Sequence, residues 1–366
     1  MKILIVHATA GAGHKRAAEA LYQGFKEKTG DQVFIVDVLD CTNPFYKKSY
    51  QNVYTFLITK LSWAWGFFFA LADLPFLRPV VRVLRRFVNH LNAKPFEQFL
   101  KNEQFDFIFS AHFFSNEVAA FMKRQGAIQS KIISVVTDFD VHSMWLAEGI
   151  DCYAAASDFT AKKLVSLGIE ENKILVSGIP TDKKFTLPYN RDDLQNKFQL
   201  KKNLFTILVA TGSFGIGPIK EIIAQLQEYQ VLVVCGNNKN LFNELNQIKG
   251  VNHKVYGLVN NMDELMTVAD AMITKPGGLS ISEALIKGLP LIFFSAIPGQ
   301  ETGNVSVLKQ CGIGISGRGV EEIIDEVKKL SGQKDYYEQA KQNTRQLAKP
   351  SAVSDIIQLA SKLSSR

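Results

Sequence analysis

Three glycine-rich segments of the sequence have residue types and spacing that bind anions. They are residues 7–20 (HATAGAGHKRAAEA), 211–217 (TGSFGIG) and 274–284 (TKPGGLSISEA). Each one follows a short apolar run and precedes a helical pattern, so each places free backbone N–H groups at the start of a helix. Such groups, together with the helix dipole, favour an anion or a polar group. The sequence therefore predicts chemistry at phosphates or at a polar substrate.

The first segment fits neither of the two common phosphate-binding motifs. It lacks the Gly-Lys-Ser/Thr end of a P-loop, and Arg16 stands where the dinucleotide fingerprint has its third glycine. What remains is a tight strand-to-helix turn through Gly11 and Gly13. This turn presents His14 at the carboxyl edge of a sheet, where ligands bind in such folds. A capping or solvated histidine is the alternative interpretation.

The second and third segments together indicate a nucleotide. Two N–H cradles of phosphate size on one sheet suit a diphosphate, and Glu283 lies one helical turn further on, where it can accept hydrogen bonds from ribose hydroxyls. A single glycine loop is weak evidence. Two such loops in one domain, facing a third across a cleft between domains, predict a nucleotide ligand.

Short apolar strands alternate with helices along the chain that carries these segments. Runs such as Lys2–His7 and Leu204–Ala210 are separated by helical stretches, a pattern typical of α/β proteins with parallel sheets and right-handed crossovers. A length of 366 residues predicts two domains, and the turn-rich run 178–190 is the expected linker. The expected parts are an amino-terminal domain at 1–185, a second domain at 190–347 and a last helix at 348–366 that could pack back on the first domain.

Composition excludes several classes of protein. The chain is 46% hydrophobic with a net charge of +7, which excludes a disordered or fibrous protein and indicates an anionic partner. Nucleic acid has little support, because the basic residues interleave with long apolar runs and form no recognition motif. The four cysteines are scattered without a CxxC pair, as in the reducing cytoplasm. The first residues begin a strand and show no secretion signal.

One aromatic and basic stretch raises the question of a membrane. In the stretch 61–81, residues 63–72 are ten successive uncharged residues, but Asp73 and the prolines after it interrupt the run before the ~20 residues that a spanning helix needs. We expect no span here. Segment 78–94 has the pattern of a helix lying in a membrane interface, and an ordinary amphipathic helix packed on its own domain is the alternative. The predicted apolar face comprises Val81, Leu84, Val88 and Leu91, and the predicted basic face comprises Arg78, Arg82, Arg85 and Arg86.

Six segments together resemble one protein family. They are 11–14 (GAGH), 136–142 (VTDFDVH), 235–239 (CGNNK), 274–278 (TKPGG), 282–285 (SEAL) and 298–304 (PGQETGN). This combination is similar to that of the diacylglycerol glycosyltransferases, the group of monogalactosyldiacylglycerol synthases and processive diacylglycerol glucosyltransferases in glycosyltransferase family 28. The similarity runs from residue 1 to about residue 330. Its most specific parts are the TKPGG segment and the PGQE of the last segment.

The resemblance implies a fold and a reaction. It implies the GT-B fold, with two Rossmann-like domains whose parallel sheets face an interdomain cleft. It also implies inverting transfer of a hexose from UDP-glucose or UDP-galactose to the sn-3 hydroxyl of 1,2-diacylglycerol, giving a β-glycolipid without a metal or other cofactor. The residues that match UDP-sugar positions are Gly212, Ser213, Gly215, Asn237, Asn261, Met262, Lys275, Gly277, Gly278, Ser280, Glu283, Gln300, Glu301 and Asn304.

The implied displacement at the anomeric carbon needs a base for the acceptor hydroxyl and positive charge for the departing diphosphate. Helix N-termini and basic side chains such as Lys275 are expected to supply that charge. His14 matches the family's histidine, and its ordinary pKa of about 6.5 suits a base near neutral pH. With Asp138 it forms the expected catalytic pair. Asp138 or Asp140 could instead be the base or orient the histidine, and His142 is a weaker candidate.

A lipid acceptor also accounts for the aromatic and basic stretch, because diacylglycerol stays in the bilayer. We expect the aromatic side chains to contact the membrane interface and the arginines to attract anionic lipids, so that vesicle binding weakens with salt. This predicts a peripheral protein on the cytoplasmic face of the cell membrane. The residues expected at the membrane or the acceptor are Gly11, Gly13, Trp63, Trp65, Phe68, Arg82, Arg85 and Arg86.

Two other functions use the same nucleotide site. One is transfer of N-acetylglucosamine from its UDP-sugar to a peptidoglycan lipid precursor, and the other is a non-catalytic, membrane-bound UDP-sugar sensor. The donor hexose also stays open, because TKPGG leans toward the glucosyl enzymes whereas 284–290 and 297–305 lean toward the galactosyl ones. The number of sugars added and the oligomeric state are open as well.

Overall fold

The structure is a computed structural model that describes residues 1–9, 11–212, 217–248, 252–294, 296–316 and 319–364. The predicted binding residues Ser213 and Gly215 lie outside these ranges. The chain forms two compact units. Unit 1 comprises Met1–Asp182, Ile297–Gly303 and Lys349–Arg366, and unit 2 comprises Lys183–Ala296 and Asn304–Ala348.

Unit 1 is built on a six-stranded parallel sheet, in which β1 and β3 to β5 lie between the edge strands β2 and β6. Strands β3 and β5 are buried throughout, as expected when both faces of a parallel sheet are covered, whereas the two edge strands are partly exposed. The strands are β1 (Lys2–His7), β2 (Gln32–Asp37), β3 (Phe107–Ser110), β4 (Lys131–Val135), β5 (Cys152–Ala155) and β6 (Ile174–Val176).

Sixteen α-helices surround the sheets in the described parts of both units. The first seven belong to unit 1. They are α1 (Ala12–Lys28), α2 (Pro44–Lys60), α3 (Ser62–Ala72), α4 (Arg78–Asn92), α5 (Lys94–Glu103), α6 (Phe113–Arg124) and α7 (Asp158–Ser166). The others are α8 (Arg191–Lys197), α9 (Ile219–Ala224), α10 (Lys239–Asn246), α11 (Met262–Val268), α12 (Gly278–Ile286), α13 (Gln300–Gln310), α14 (Val320–Gly332), α15 (Lys334–Leu347) and α16 (Ala352–Ser364).

Alternate residues of β1 enter two different cores of unit 1. Ile3 and Ile5 pack with α1 and with the last helix, α16, on one face of the sheet. Leu4 and Val6 pack with α5 and α6 on the other face. This is the two-residue period of a strand that is covered on both sides. The carboxyl-terminal helix therefore completes the amino-terminal sheet.

Unit 2 has a second parallel sheet with the strand order β12-β11-β10-β7-β8-β9. Strands β7, β8 and β10 lie inside this sheet and are fully buried. The predicted α/β class with parallel sheets is thus confirmed in both units. The strands are β7 (Thr206–Ala210), β8 (Gln230–Val234), β9 (His253–Tyr256), β10 (Ala271–Thr274), β11 (Leu291–Phe293) and β12 (Ile315–Ser316).

Segment 297–303 differs from the expected second domain at 190–347, because it belongs to unit 1. Pro298 lies so close to Gly66 of α3 that a Cβ at that glycine would be 2.4 Å from the proline ring. A Cβ at Gly299, where φ is +93°, would likewise lie 2.6 Å from the ring of Phe69. Both contacts need a residue without a side chain, so the two glycines allow this segment to pack on α3.

The described residues include no single helix that is long and apolar enough to cross a membrane. Residues Pro44–Leu57 and Ser62–Ala72 pass the criteria of length and composition only as a pair, and that pair is bent by 109°.

Candidate active site

The segments after β1, β3 and β4 meet at a cavity of about 200 Å³ in unit 1. These strands are neighbours in a parallel sheet, so their carboxyl ends lie at one edge, where α/β proteins bind ligands. One wall of the cavity is polar, and helices α2 and α3 supply an aromatic wall. The polar wall includes His14, His112, Asp138, Asp140, His142 and Gln300.

His14 lies in the first turn of α1 and faces this cavity. Its Nδ1 is 2.8 Å from Oγ1 of Thr137, and the ring also hydrogen-bonds the backbone carbonyl of Ala111. A carbonyl oxygen can only accept, so the ring is the donor in its contact with Ala111. Burial lowers the pKa of His14 to about 4, because desolvation disfavours the imidazolium. The pKa of His14 thus lies below the ordinary value near 6.5, and His14 is neutral at physiological pH.

Asp138 is buried beside His14 in the same cavity and binds Gln300. Nε2 of Gln300 lies 2.9 and 3.0 Å from the two carboxylate oxygens of Asp138. A carboxylate accepts only, so Gln300 is held with its amide N–H groups toward Asp138 and its Oε1 turned away. The structure thus joins one predicted catalytic residue to one predicted donor-sugar residue.

Asp140 and His142, the alternative bases, have different surroundings. Burial raises the pKa of Asp140, and the nearby charge of Asp73 adds to this effect while that of Lys163 opposes it. Both ring nitrogens of His142 are occupied, one 2.8 Å from the Phe69 carbonyl and the other 3.1 Å from the backbone N–H of Met144. His142 therefore joins α3 to the cavity wall, and Asp140 is the better placed alternative base.

The aromatic wall includes residues that the sequence analysis missed. Tyr50 and Tyr54 line the cavity from successive turns of α2, and Trp65 and Phe69 do so from successive turns of α3. The ring centroids of Tyr54 and Trp65 are 5.5 Å apart. The i, i+4 spacing of the tyrosines was the available signal. Trp65, which the sequence predicts at the membrane or the acceptor, forms part of the cavity wall, whereas Trp63 and Phe68 are exposed.

Unit 2 gathers most of the predicted donor residues at one edge of its sheet. Gly212 follows β7, Asn237 follows β8, Asn261 and Met262 follow β9, and Lys275 follows β10. These four strands are neighbours in the sheet, so the residues lie at one carboxyl edge. Gly277 is the N-cap of α12, whose first turn contains Gly278 and Ser280. This edge has the groups that a UDP-sugar needs, and their roles stay predictions.

Three of the predicted donor residues have structural contacts. Asn304 is fully buried, and its side chain donates a hydrogen bond of 3.0 Å to the Pro276 carbonyl. Asn304 thus supports the glycine loop through this bond, and its contact with the UDP-sugar stays a prediction. Glu301 accepts a hydrogen bond of 2.7 Å from the backbone N–H of Ile297 in its own turn. Glu283 is buried within α12.

Helix α4 has an apolar face that is exposed and a basic face that is partly turned toward the protein. Phe87 is 62% exposed, and the other large apolar residues of its stripe are exposed as well. Arg85 and Arg86 face inward and form ion pairs with the buried Glu117 of α6. Both guanidinium groups are thus paired within the protein, and their contact with anionic lipid stays a prediction. The exposed stripe is Val80, Val83, Leu84, Phe87, Val88 and Leu91.

The exposed stripe of α4 belongs to a larger surface. Fourteen of the nineteen large apolar side chains that are exposed in the described chain lie between Phe45 and Leu91, on α2 to α4 and the turn that joins α3 to α4. Such concentration marks an interaction site, because scattered exposure is the rule elsewhere. We call these fourteen residues the α2–α4 surface. They are Phe45, Val53, Phe56, Trp63, Phe67, Phe68, Leu74, Phe76, Val80, Val83, Leu84, Phe87, Val88 and Leu91.

Solved structures with the same architecture define the class of the protein. The chain is similar to the S. aureus MnaA–UDP complex, with a TM-score of 0.62, 16% identity and coverage of 98% of this chain and 95% of that one. It is similar to Acinetobacter baumannii MurG with a TM-score of 0.62, 15% identity and coverage of 98% and 99%. These identities show the fold alone. The protein has the GT-B fold of glycosyltransferases.

Sequence comparisons identify the family within this class. Residues 14–181 match the model of monogalactosyldiacylglycerol (MGDG) synthase, and residues 206–358 match the glycosyltransferase family 28 C-terminal domain. The chain is 30% identical over 336 residues to proteins named processive diacylglycerol beta-glucosyltransferase from Bacillus cereus and Bacillus anthracis, covering 90% of this chain and 85% of those proteins. The chain belongs to the diacylglycerol glycosyltransferases of family 28.

Proposed function

We propose that this enzyme transfers a hexose from UDP-glucose or UDP-galactose to the sn-3 hydroxyl of 1,2-diacylglycerol and inverts the anomeric configuration. The observation that carries the proposal is the unit 1 cavity. Its aromatic wall suits the glycerol and ester region of a lipid, and its polar wall offers acceptors for a hydroxyl proton. The names of the relatives, which specify diacylglycerol and a glucosyl group, support the same substrates.

His14 is the proposed base. With the ring proton held toward Ala111, the second nitrogen accepts from a hydroxyl, at present that of Thr137. An acceptor hydroxyl that takes the place of the Thr137 hydroxyl gives its proton to the same nitrogen as the oxygen attacks the anomeric carbon. The low pKa keeps His14 unprotonated and therefore able to accept throughout the physiological range.

The departing diphosphate is assigned to unit 2. Backbone N–H groups at the start of α12, after Gly277, and the ammonium of Lys275 are the proposed partners for its negative charge. These groups supply positive charge from the chain itself. The proposal therefore includes no metal ion and no further cofactor.

The α2–α4 surface is the proposed membrane contact. Aromatic and aliphatic side chains on neighbouring helices insert into the acyl boundary of a bilayer. Helix α3 has Trp63, Phe67 and Phe68 on this surface and Trp65 and Phe69 at the cavity. A lipid headgroup thus reaches the cavity while its acyl chains stay in the membrane. We assign the enzyme a peripheral position on the cytoplasmic face of the membrane.

Transfer of radiolabel from each UDP-hexose to dioleoylglycerol in vesicles, followed by lipid chromatography, tests the proposal. We expect a labelled glycolipid from one of the two donors, and its anomeric proton coupling shows a β-linkage. A labelled product that forms only from UDP-N-acetylglucosamine and a peptidoglycan lipid precursor contradicts the proposed acceptor. UDP-sugar binding without turnover on any lipid supports a sensor instead.

Paired histidine variants locate the chemistry in the cavity. His14→Gln is expected to lower kcat by about 10²–10⁴-fold, the usual contribution of a general base. His253→Gln, which changes a histidine of β9 in unit 2, is the matched control and should keep kcat. If Asp140→Asn abolishes turnover while His14→Gln leaves it within a few fold, the base is Asp140.

A further inference from the structure

Glu117 binds two successive arginines of α4 with one buried carboxylate. Its side chain is 2% exposed, Oε1 accepts from Nε of Arg86 at 2.7 Å, and Oε2 accepts from Nη2 of Arg85. Arg85 also donates to the Met144 carbonyl at 2.8 Å. We call Glu117, Arg85 and Arg86 the Glu117 cluster.

The Glu117 cluster determines which face of α4 is exposed. An amphipathic helix on a protein surface normally buries its apolar stripe and exposes its charges. Here the guanidinium groups are inside, because a buried carboxylate compensates them, and buried charges need such pairing. The stripe that includes Leu84 and Phe87 is consequently turned outward.

We propose that Glu117 is a positioning residue that holds α4 with its apolar stripe toward the hydrocarbon region of a bilayer, so that Arg85 and Arg86 make no contact with anionic headgroups. This inference rests on the proposed membrane contact and reverses the role that the sequence predicts for these arginines. We assign a bilayer to this stripe because the exposed apolar residues of α3 extend the same surface. Helix α3 also lines the cavity proposed for a lipid substrate.

The same cluster reaches the cavity wall. Met144 and Trp145 line the cavity, and Arg85 holds the carbonyl of Met144 and, at 3.5 Å, that of Leu146. A second hydrogen bond joins the adjacent residue, Ser143, to the end of α3. The backbone N–H of Ser143 donates to the C-cap residue Asp73 at 3.2 Å. Loss of the cluster therefore affects the acceptor as well as membrane binding.

Vesicle binding tests the orientation of α4. Binding is compared between vesicles of phosphatidylcholine and vesicles of equal parts phosphatidylcholine and phosphatidylglycerol. Arg86→Gln should leave the preference for anionic vesicles unchanged, because Arg86 is already paired. Glu117→Gln frees the arginines and should raise this preference by about fivefold for each guanidinium that reaches the headgroups. A fall of about fivefold in Arg86→Gln, or no rise in Glu117→Gln, overturns the proposal.

Substrate kinetics separate this inference from the proposed function. In phosphatidylcholine vesicles, Glu117→Gln should raise the KM for dioleoylglycerol severalfold and leave the KM for the UDP-hexose unchanged. An equal rise in both KM values shows that the effect is not confined to the acceptor and contradicts a positioning role. If the wild-type protein neither binds vesicles nor glycosylates dioleoylglycerol, the proposed function fails. If it does both while Arg86→Gln loses anionic preference, only the inference about Glu117 fails.

Discussion

At the scale of single residues, the position of a residue along the chain predicts which side chains share one edge of the sheet. The contacts and the pKa of each side chain depend on the residues packed around it. His14 and Asp138 both follow strands of one sheet, so the sequence places them at one edge. Their contacts with Thr137 and Gln300 depend on the packing of distant segments. For the same reason the sequence could not show the burial that lowers the pKa of His14 to about 4.

The low pKa of His14 predicts how stability changes with pH. The unfolded chain binds a proton at His14 near pH 6.5, whereas the folded chain does so only near pH 4. Stability from this residue is therefore complete above pH 6.5 and is lost as the pH falls toward 4. Between pH 7 and pH 5 the wild-type protein should lose about 2 kcal/mol more than His14→Gln, as measured by urea unfolding. If the difference in stability between the wild type and His14→Gln is the same at pH 7 and pH 5, His14 is not buried in its neutral form.

The bond between Asp138 and Gln300 predicts coupled effects on the donor. If Asp138 orients Gln300 toward the hexose, Asp138→Asn and Gln300→Ala should each raise the KM for the UDP-hexose by about tenfold, the value of a charge-assisted hydrogen bond. The double variant should be no worse than the more severe single variant. A fall in kcat of more than about 100-fold in Asp138→Asn, with the donor KM unchanged, identifies Asp138 as the base instead.

At the scale of elements, the sequence shows that α4 has two faces but not which face is buried. The period of its apolar residues predicts the helix and its stripe. The buried carboxylate that draws the arginines inward is on α6, far along the chain, and a helical pattern contains no information about that partner. Glu117, the one charged residue of segment 113–122, directly before the apolar run 118–122, was the available signal.

The α2–α4 surface predicts membrane binding through apolar contact. Phe68→Ser and Phe87→Ser remove exposed rings from α3 and α4, so each should weaken binding to phosphatidylcholine vesicles by at least tenfold, since a fully buried aromatic side chain contributes about 1.5–3 kcal/mol. The thermal stability of both variants should stay close to that of the wild type, because neither ring is in the core. Leu258→Ser, at an exposed leucine of unit 2, is the control. If Phe68→Ser and Phe87→Ser bind the vesicles as tightly as the control Leu258→Ser does, the α2–α4 surface is not the membrane contact.

At the scale of the whole molecule, the alternation of strands and helices predicts the fold class, and the neighbours in solved structures confirm it. The sequence left the partner of the last helix open, because an amphipathic pattern identifies a face but not what covers it. In the structure α16 packs on α1. Segment 297–303 likewise joins unit 1 through contacts that only the folded chain creates.

The packing of α16 on α1 predicts a compensating pair of substitutions. A Cβ at Gly24 would lie 2.2 Å from a methyl group of Val353. Gly24→Ala should therefore destabilise the protein, because overpacking costs about 1–3 kcal/mol and exceeds the ~1 kcal/mol that alanine gains in a helix. Val353→Ala in the same chain should recover that loss. A Gly24→Ala variant as stable as the wild type in urea unfolding contradicts this contact.

Release of UDP in the presence of a lipid with and without its hydroxyl tests whether this enzyme transfers a hexose to diacylglycerol. The enzyme is given its UDP-hexose and vesicles that contain either 1,2-dioleoylglycerol or the same lipid with hydrogen in place of the sn-3 hydroxyl. We expect stoichiometric UDP release and glycolipid formation with the first lipid and no release above background with the second. Equal release with both lipids, or none with either donor, would contradict transfer to the lipid hydroxyl.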